Sequence, residues 1–241
     1  MKRAIATRAD ENIRAITDIS FPVMEEYAAK CEADLLVLGN DYSCEDELGT
    51  RHYRIFEIRE LLQSYDEVAS MDCDILIAPH CPNIFELAPG KITTIFEDKG
   101  TRQDDRQKRI QAVQDAWGDV GWEEGYINTG VFVVSRKHAD IFRRCRSQVW
   151  LSNGYDDVHL GYMIHAQKHE VHEIPFTFNH MSMFSESWNG NADRLNSYII
   201  HYSGGGRFPG TFWSGKSSAE HVVALMKKDK EQLDERKQRA V

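Results

Sequence analysis

Short apolar runs alternate with amphipathic segments along the first third of the chain. Residues 3–7, 34–39 and 67–78 are nearly continuous apolar runs, which are typical of strands buried on both faces of a sheet. Residues 20–33 and 53–65 instead repeat their apolar side chains at helical spacing. The resulting order of strand, helix, strand, helix and strand predicts an α/β domain.

The same two patterns continue through the rest of the chain. Apolar runs predict further strands over residues 91–96, 126–135 (with a turn-forming Asn-Thr-Gly inside it) and 171–178, and, over residues 198–207, a strand that ends at His201 and leads into a glycine loop. Helical spacing and candidate caps predict helices over residues 103–117, 137–149 and 154–165. No internal repeat or linker divides these elements. We therefore expect a single α/β domain whose central sheet is mostly parallel, mixed, and flanked by helices.

Two segments are polar rather than apolar. Residues 98–124 suit either a solvated loop with a helix, or a lid or insertion that binds a second substrate. A capping-box pattern, Ser217-x-x-Glu220, predicts a last helix, whose end over residues 227–239 is so charged that we expect it to be solvated and frayed. This pattern divides the chain into a domain over residues 1–215 and a charged C-terminal helix over residues 216–241.

Charge and composition exclude some classes of partner. The net charge of −9 argues against a nucleic-acid duplex and against constitutive binding to an anionic membrane. The five cysteines are scattered, which does not indicate a disulfide framework. The N-terminus lacks the apolar core of a signal peptide, and no apolar run is long enough to span a bilayer. We therefore expect a location in the cytoplasm.

Asp72 and Asp74 interrupt the apolar run over residues 67–78. Carboxylates are costly to bury without compensation, and on extended backbone positions i and i+2 face the same side. A divalent cation is a natural partner for two like charges held so close together. The pair is therefore either a metal site for a phosphate-bearing substrate or two solvated side chains at a strand end.

A second candidate site follows the apolar run over residues 198–201. His201 is either a metal ligand or a strand-end histidine bonded to backbone. The Gly204–Gly206 run lets the backbone approach a ligand closely, and Arg207 offers a forked donor to phosphate oxygens. The alternative for this run is a flexible turn.

Polar side chains also occur at two turns in the middle of the chain. Asn128 precedes Thr129 and Gly130, and Asp156 and Asp157 lie near the start of a predicted helix. An amide beside a tight turn and acids at a helix start suit the recognition of sugar hydroxyls. Turn geometry for Asn128 and helix capping for Asp156 are the structural alternatives.

The order of these motifs is more specific than any one of them. A short N-terminal strand, Asp-x-Asp near residue 70, Tyr-Ile-Asn-Thr-Gly-Val-Phe-Val-Val, Asp-Asp-x-x-Leu and His-Tyr-Ser-Gly-Gly-Gly-Arg follow one another. The series resembles the GT-A glycosyltransferases of family eight, which include glycogenin and lipopolysaccharide galactosyltransferases. The resemblance covers about residues 1–210 and implies the Rossmann-like GT-A fold.

The resemblance also implies roles for the residues of the first and last motifs. Asp72 and Asp74 would hold Mn²⁺ (or Mg²⁺) on the donor diphosphate, and His201 would be the third ligand. Gly204 and Arg207 fall on the Gly and Lys of a His-x-x-Gly-x-x-Lys motif that contacts the diphosphate.

The remaining roles concern the donor nucleotide and sugar. Asn128 falls on a motif that touches the donor sugar, and Asp156 and Asp157 fall on the family's Asp-Gln pair in the catalytic region. The nucleotide base would lie at the end of the first strand. The other residues that the resemblance assigns to donor binding are Ala6, Thr7, Arg8, Arg54 and Cys73.

These motifs predict a metal-dependent transferase that moves a hexose from a nucleoside-diphosphate sugar, a UDP-sugar in the first instance, to a hydroxyl acceptor such as a glycan. The resemblance implies retention at the anomeric carbon; an inverting enzyme would need a base, for which Asp157 is the candidate. Asp157 replaces the family's Gln, Arg207 replaces Lys, and Phe208-Pro209 replaces Pro-Trp. The alternatives are a nucleotidyltransferase and a catalytically silent nucleotide-sugar binding protein.

Overall fold

The structure is a computed structural model that describes residues 1–38, 52–211 and 218–239. The strands of its main sheet are β1 (Arg3–Arg8), β2 (Ala33–Leu38), β3 (Glu67–Met71), β5 (Ile92–Thr94), β6 (Val131–Ser135) and β7 (Val171–Glu173). The order across the sheet is β2-β1-β3-β6-β5-β7. Two further strands, β4 (Ile75–Ile77) and β8 (Ile199–His201), pair with each other in a second, two-stranded sheet.

The strand directions confirm the predicted fold class. β1 runs parallel to β2 and β3, and β5 runs parallel to β7. β6 runs antiparallel to its neighbours β3 and β5. Because β6 runs against the other five described strands, the sheet is mixed and mostly parallel. Within the described residues, helices flank it: α1 (Arg14–Lys30), α2 (Ile58–Ser64), α3 (Gln103–Trp117), α4 (Tyr155–Ala166) and α6 (Ser218–Arg239). A short turn, α5 (Ser203–Gly206), follows β8.

Both faces of the central strands are buried, which explains their continuous apolar sequences. In β1, Ile5 packs into one apolar cluster while Ala4 and Ala6 pack into another. In β6, Val133 and Phe132 are divided between the same two clusters. Successive side chains of a strand point to opposite faces, so a strand covered on both sides needs apolar residues at every position.

The predicted strand over residues 67–78 is two strands in different sheets. β3 pairs with β6, and β4 pairs with β8. Asp72-Cys73-Asp74 lies between them, where the chain leaves one partner and meets the other. Because the sequence is apolar on both sides of this junction, the change of pairing partner cannot be recognised from the sequence. The acidic pair therefore lies at a junction between two sheets, and its placement inside one continuous strand was wrong.

Two other predicted strands are shorter than their apolar runs. β6 begins at Val131, because the Asn128–Gly130 segment forms a turn before it. β7 ends at Glu173 and is followed by a 3-10 turn over Phe176–Phe178. β8 ends at His201, as predicted, and the glycine segment follows it.

Three predicted helices differ from the structure. α1 begins at Arg14 rather than at residue 20, because Asp10 caps a 3-10 turn that leads directly into the helix. Residues 52–57 form a 3-10 turn before α2 begins. The helix over residues 137–149 was wrong: a 3-10 turn ends at Ile141, and positive φ angles at Arg146 and Ser147 (47° and 69°) prevent helical continuation.

The C-terminal helix packs against the domain over much of its length. Met226 is fully buried and Leu233 is 5% exposed, within a cluster that also contains residues of α1, β4 and β8. Asp229 is fully buried and accepts two hydrogen bonds from Arg194 and one from Tyr202. The expectation of a solvated end over residues 227–239 was therefore wrong for Asp229 and Leu233.

Parts of the C-terminal prediction lie outside the described residues. Ser217, the proposed cap, belongs to the segment 212–217 that the structure does not describe, and Gly39 falls in another such segment, 39–51. The division between residues 215 and 216 stays a prediction. In the described parts of the chain, no helix combines the length and apolar character that a membrane span requires. The cytoplasmic location also stays a prediction.

Candidate active site

A large cavity, with a volume of about 870 Å³, opens at one edge of the main sheet. β1 ends at this edge with Arg8, and Asp72 directly follows the last residue of β3. β6 begins there after Gly130 because it runs in the opposite direction. The carboxyl ends of parallel strands are where α/β sheets commonly bind ligands. The cavity is therefore the first candidate for a functional site.

Asp72, Asp74 and His201 converge in this cavity as potential metal ligands. His201 Nε2 lies 3.3 Å from an oxygen of Asp74 and 3.5 Å from an oxygen of Asp72. One ligand atom from each residue lies within 4.8 Å of the others. An octahedral ion with bonds of about 2.1 Å separates neighbouring ligand atoms by about 3.0 Å. The three side chains thus fit a divalent cation with small adjustments.

The electrostatics of the three side chains also fit a cation. Burial opposes the charged form of His201, but the carboxylates of Asp74 and Asp72 outweigh it and raise the pKa of His201 to about 10. Burial would raise the pKa of Asp72, yet Arg8 and His201 hold it well below its usual range. A positive charge is thus favoured between the two carboxylates. Carboxylate oxygens suit Mg²⁺ and Mn²⁺, while imidazole suits transition metals, so the mixed set is compatible with a divalent cation.

Backbone hydrogen bonds fix the acidic junction to the strands on either side. The Asp72 N–H donates to the Gly130 carbonyl (2.8 Å), and the Tyr202 N–H donates to the Asp74 carbonyl (2.9 Å). In the second sheet, Ile75 is paired with His201. The change of partner between β3 and β4 is what brings these three side chains, separated by almost 130 residues in sequence, to one point.

Gly130 leaves the space that the metal ligands occupy. A Cβ atom at this position would collide with His201 Cε1 and would lie 2.9 Å from Asp72 Oδ2. Any larger residue would therefore have to move the His201 ring or the Asp72 carboxylate. The glycine of the Asn-Thr-Gly motif is required by this close approach.

Arg8 joins the metal ligands to the acidic pair at the start of α4. It donates to Asp72 Oδ1 (2.7 Å), to Asp156 Oδ2 (2.9 Å) and to the His52 carbonyl (2.9 Å). Burial would raise the pKa of Asp156, but Arg8 and His52 lower it. Arg8 therefore keeps two neighbouring carboxylates ionised at one side of the cavity.

Asp157 has the opposite electrostatic environment. Its Oδ1 accepts hydrogen bonds from the Thr129 N–H and hydroxyl, both at 2.8 Å. Burial, the neighbouring Asp156 and Glu97 together raise the pKa of Asp157 well above its ordinary value. The adjacent carboxyl groups are thus driven toward different protonation states, a pattern typical of acid–base sites.

Asn128 is buried, and the nitrogen and oxygen of its amide are hydrogen-bonded to other protein groups. Its nitrogen donates to Glu97 (2.6 Å), and its oxygen accepts from Asn179 (2.7 Å) and from the Gly130 N–H (3.0 Å). Glu97 is in turn paired with Arg106 of α3. Asn128 lines the cavity as part of a fixed polar network.

The glycine segment after β8 forms the rim of the same cavity. Gly204, Gly205 and Gly206 have φ angles of 63°, 83° and 63°, a left-handed conformation that glycine adopts at the lowest cost. Gly204, Gly205 and the side chain of Arg207 line the cavity. This rim lies next to His201 in sequence and in space.

Most of the residues selected from sequence line this cavity. They are Arg8, Asp72, Cys73, Asp74, Asn128, Asp156, Asp157, His201, Gly204 and Arg207. Ala6 and Thr7 are instead buried within β1, and they are absent from the cavity wall. Arg54 pairs with Glu57 in the 3-10 turn before α2 and does not line the cavity either. The functional roles of all these residues stay predictions.

Several residues that line the cavity were not predicted from the sequence. His52 contacts Asp156, and the α3 segment contributes three arginines, Arg102, Arg106 and Arg109. The spacing of these arginines, four and three residues apart, is a helical pattern that could have indicated one exposed face. Asn179 gave no such signal, because it lies in an aromatic segment without regular spacing.

Comparison with solved structures establishes the fold. A glycosyltransferase involved in glycosylation of the major capsid of PBCV-1 matches with a TM-score of 0.57 at 15% identity, covering 95% of this chain and 100% of its own. The galactosyltransferase LgtC, solved with donor and acceptor sugar analogues, matches with a TM-score of 0.56 at 16% identity, covering 93% and 95%. The GT-A glycosyltransferase fold predicted from the motif order is therefore confirmed.

A third similar structure is the glycosyltransferase GlyE of Streptococcus pneumoniae TIGR4. It matches with a TM-score of 0.53 at 12% identity, covering 97% of this chain and 64% of its own. No family model matches the sequence, and no curated protein matches it. The fold is thus recognisable where the overall sequence similarity is low.

We predict that Gly130→Ala weakens metal binding at least tenfold, because the added methyl displaces His201 or Asp72. Electron paramagnetic resonance of free Mn²⁺ measures the affinity directly. Gly90→Ala is the control: Gly90 has a φ of +71° and open space around it, so its replacement strains a turn remote from the cavity. Unchanged Mn²⁺ affinity in Gly130→Ala would contradict the close-approach argument.

We also predict that Mn²⁺ binding at pH 7 releases about one proton. The raised pKa of His201, about 10, means that its ring is protonated in the metal-free protein and must lose that proton to bind a metal. Apparent affinity should therefore increase about tenfold per pH unit above neutrality and level off near the His201 pKa. Calorimetry in buffers of different ionisation enthalpy measures the release; a binding enthalpy independent of buffer would contradict it.

Proposed function

We propose that the protein is a metal-dependent glycosyltransferase that moves a hexose from a nucleoside-diphosphate sugar to a hydroxyl of a glycan or another acceptor. The observation that carries the proposal is the convergence of Asp72, Asp74 and His201 in the main cavity of a GT-A fold. A UDP-hexose is the donor that the motif resemblance implies. The LgtC structure, which contains donor and acceptor sugar analogues, supports the same substrate classes.

The diphosphate would lie between the metal ligands and the glycine rim. When bound, Mn²⁺ (or Mg²⁺) would neutralise the negative charge that develops on the leaving diphosphate. Arg207 and the backbone N–H groups near Gly204 would donate hydrogen bonds to its other oxygens. The two motifs that would bind the diphosphate, Asp-x-Asp and the glycine segment with Arg207, line the same cavity.

The donor sugar would lie next to the acidic pair of α4. Asp156 is ionised and oriented by Arg8 and His52, so it can accept hydrogen bonds from sugar hydroxyls. Asp157 lines the same wall. Asn128 would help to position the cavity wall. Its amide would not bind the sugar directly, because its nitrogen and oxygen already have protein partners.

The acceptor would enter along the α3 side of the cavity. Phe178, His180 and Phe184 are buried, whereas the nearby Trp188 is 37% exposed. The Trp188 ring lies against the backbone of Gly100, two residues before Arg102 on the cavity wall. An exposed indole at this edge suits stacking on a sugar ring.

We propose transfer with retention at the anomeric carbon. The bond between that carbon and the diphosphate oxygen breaks, a bond to the acceptor oxygen forms, and the leaving phosphate takes the acceptor proton. If the enzyme inverts instead, Asp157 is the candidate base, because burial and the neighbouring carboxylates of Asp156 and Glu97 raise its pKa and so strengthen its affinity for a proton. Proton NMR of the first product formed distinguishes the two outcomes by its anomeric configuration.

The proposal predicts that Asp74→Asn and His201→Ala abolish Mn²⁺-dependent cleavage of UDP-sugars while the protein remains folded. Each change removes a ligand of the ion that stabilises the leaving group, and a loss of at least 100-fold in rate is expected. Donor hydrolysis across UDP-, GDP-, CMP- and dTDP-sugars with Mn²⁺ measures the activity. Circular dichroism checks that the variants fold.

Asp18→Asn on α1 and His172→Ala on β7 are the matched controls, because both residues are exposed. A thermal-shift screen with the same sugars separates the alternatives. Stabilisation by one nucleotide sugar only with Mn²⁺, together with release of its nucleoside diphosphate, supports the transferase. Binding without turnover favours a silent binding protein, and pyrophosphate-forming activity favours a nucleotidyltransferase. Full activity of both site variants with EDTA present would refute the proposal.

A further inference from the structure

A continuous chain of buried hydrogen bonds begins at the third metal ligand. His201 Nδ1 lies 2.8 Å from Asn179 Oδ1, Asn179 Nδ2 lies 2.7 Å from Asn128 Oδ1, and Asn128 Nδ2 lies 2.6 Å from Glu97 Oε1. None of these four side chains is more than 7% exposed. The chain thus runs through the protein interior, behind the face of His201 that meets the two aspartates.

The two ends of the chain determine the direction of every hydrogen bond in it. The Gly130 N–H can only donate, so the Asn128 atom that it contacts at 3.0 Å must be the oxygen. Glu97, paired with Arg106, is an acceptor for the Asn128 nitrogen. Asn179 must therefore donate to Asn128 with its nitrogen, which leaves its oxygen to face His201.

The consequence for His201 is a fixed orientation of its ring. An amide oxygen can only accept, so His201 Nδ1 carries a hydrogen and donates it to Asn179. The other ring nitrogen, Nε2, is then directed at Asp72 and Asp74. Metal-binding histidines are commonly held in this way by an acceptor on the second nitrogen, and loss of that acceptor weakens metal binding.

We propose that Asn179 is a positioning residue for the metal site: through its hydrogen bond it holds His201 with Nε2 facing Asp72 and Asp74. Asn128 and Glu97 hold Asn179 in turn, and Arg106 connects the chain to α3. The inference rests on the proposed metal role of His201. It assigns a purpose to Asn179, which does not line the cavity and would not touch a substrate there.

The test compares Asn179→Leu with wild type. Leucine has the branched shape and the number of side-chain heavy atoms of asparagine but offers no acceptor to His201 and no donor to Asn128. We expect the dissociation constant for Mn²⁺, measured by electron paramagnetic resonance without any nucleotide sugar, to increase about 10- to 100-fold. The measurement reports on the metal site itself and is independent of turnover.

Ser185→Ala provides the matched control. Ser185 is also buried, bonds His180 and the Ala192 carbonyl, and lies in the same region of chain without contacting His201. Its replacement should lower stability in urea unfolding but leave Mn²⁺ affinity within twofold of wild type. A purely structural role for Asn179 would make the two variants alike, so this comparison isolates the positioning effect.

The outcomes separate this inference from the proposed function. If wild type binds Mn²⁺ and Asn179→Leu, folded by circular dichroism, binds it equally well, the positioning role is refuted and the metal site stands. If Asn179→Leu does not fold, Asn179→Ala, which removes the acceptor without adding volume, is measured in its place and should bind Mn²⁺ at least threefold more weakly, with unchanged affinity refuting the role. If wild type does not bind Mn²⁺, both the proposed function and this inference are overturned.

Discussion

Repulsion between acidic side chains is the constraint on which the rest of the site depends. Among the described residues, six acidic side chains line one cavity: Asp10, Asp72, Asp74, Glu97, Asp156 and Asp157. A fold that brings carboxylates together in a partly buried space must compensate them. Arg8 compensates Asp72 and Asp156, Arg106 compensates Glu97, and the raised pKa of Asp157 favours its neutral form.

Of these carboxylates, Asp72 and Asp74 most need a further positive charge beside them. His201 supplies it in the metal-free protein by holding a proton, as its raised pKa shows. A divalent cation can take over that role and also bind a diphosphate, which a protonated histidine alone does poorly. The repulsion between the carboxylates at this junction is thus the physical basis of the proposed metal binding, and through it of the proposed transfer chemistry.

The sequence predicted those features that local pattern and motif order determine. Residues 3–7 read as a buried strand because both faces of β1 are covered, and α3 was predicted to the residue. The order of the motifs was sufficient to predict that Asp72, Asp74 and His201 lie close together. The GT-A fold followed from the same order, although each motif alone had a structural alternative.

The sequence could not predict features that depend on contacts between distant residues. The break between β3 and β4 is set by hydrogen bonds to Gly130 and Tyr202, while the local sequence stays apolar on both sides. Arg8 meets Asp156 across 148 positions, and Asn179 acts on His201 from an aromatic segment without a regular pattern. A strand that changes its pairing partner and a chain of buried, hydrogen-bonded amides produce no periodic pattern in the sequence.

The central claim is that one divalent cation binds between Asp72, Asp74 and His201. Anomalous diffraction from crystals grown with Mn²⁺, collected above the manganese absorption edge, tests it most directly. The account predicts a strong peak at about 2.2 Å from an oxygen of each aspartate and from His201 Nε2. A well-ordered cavity without a peak at this position, at a Mn²⁺ concentration that saturates binding in solution, would contradict the account.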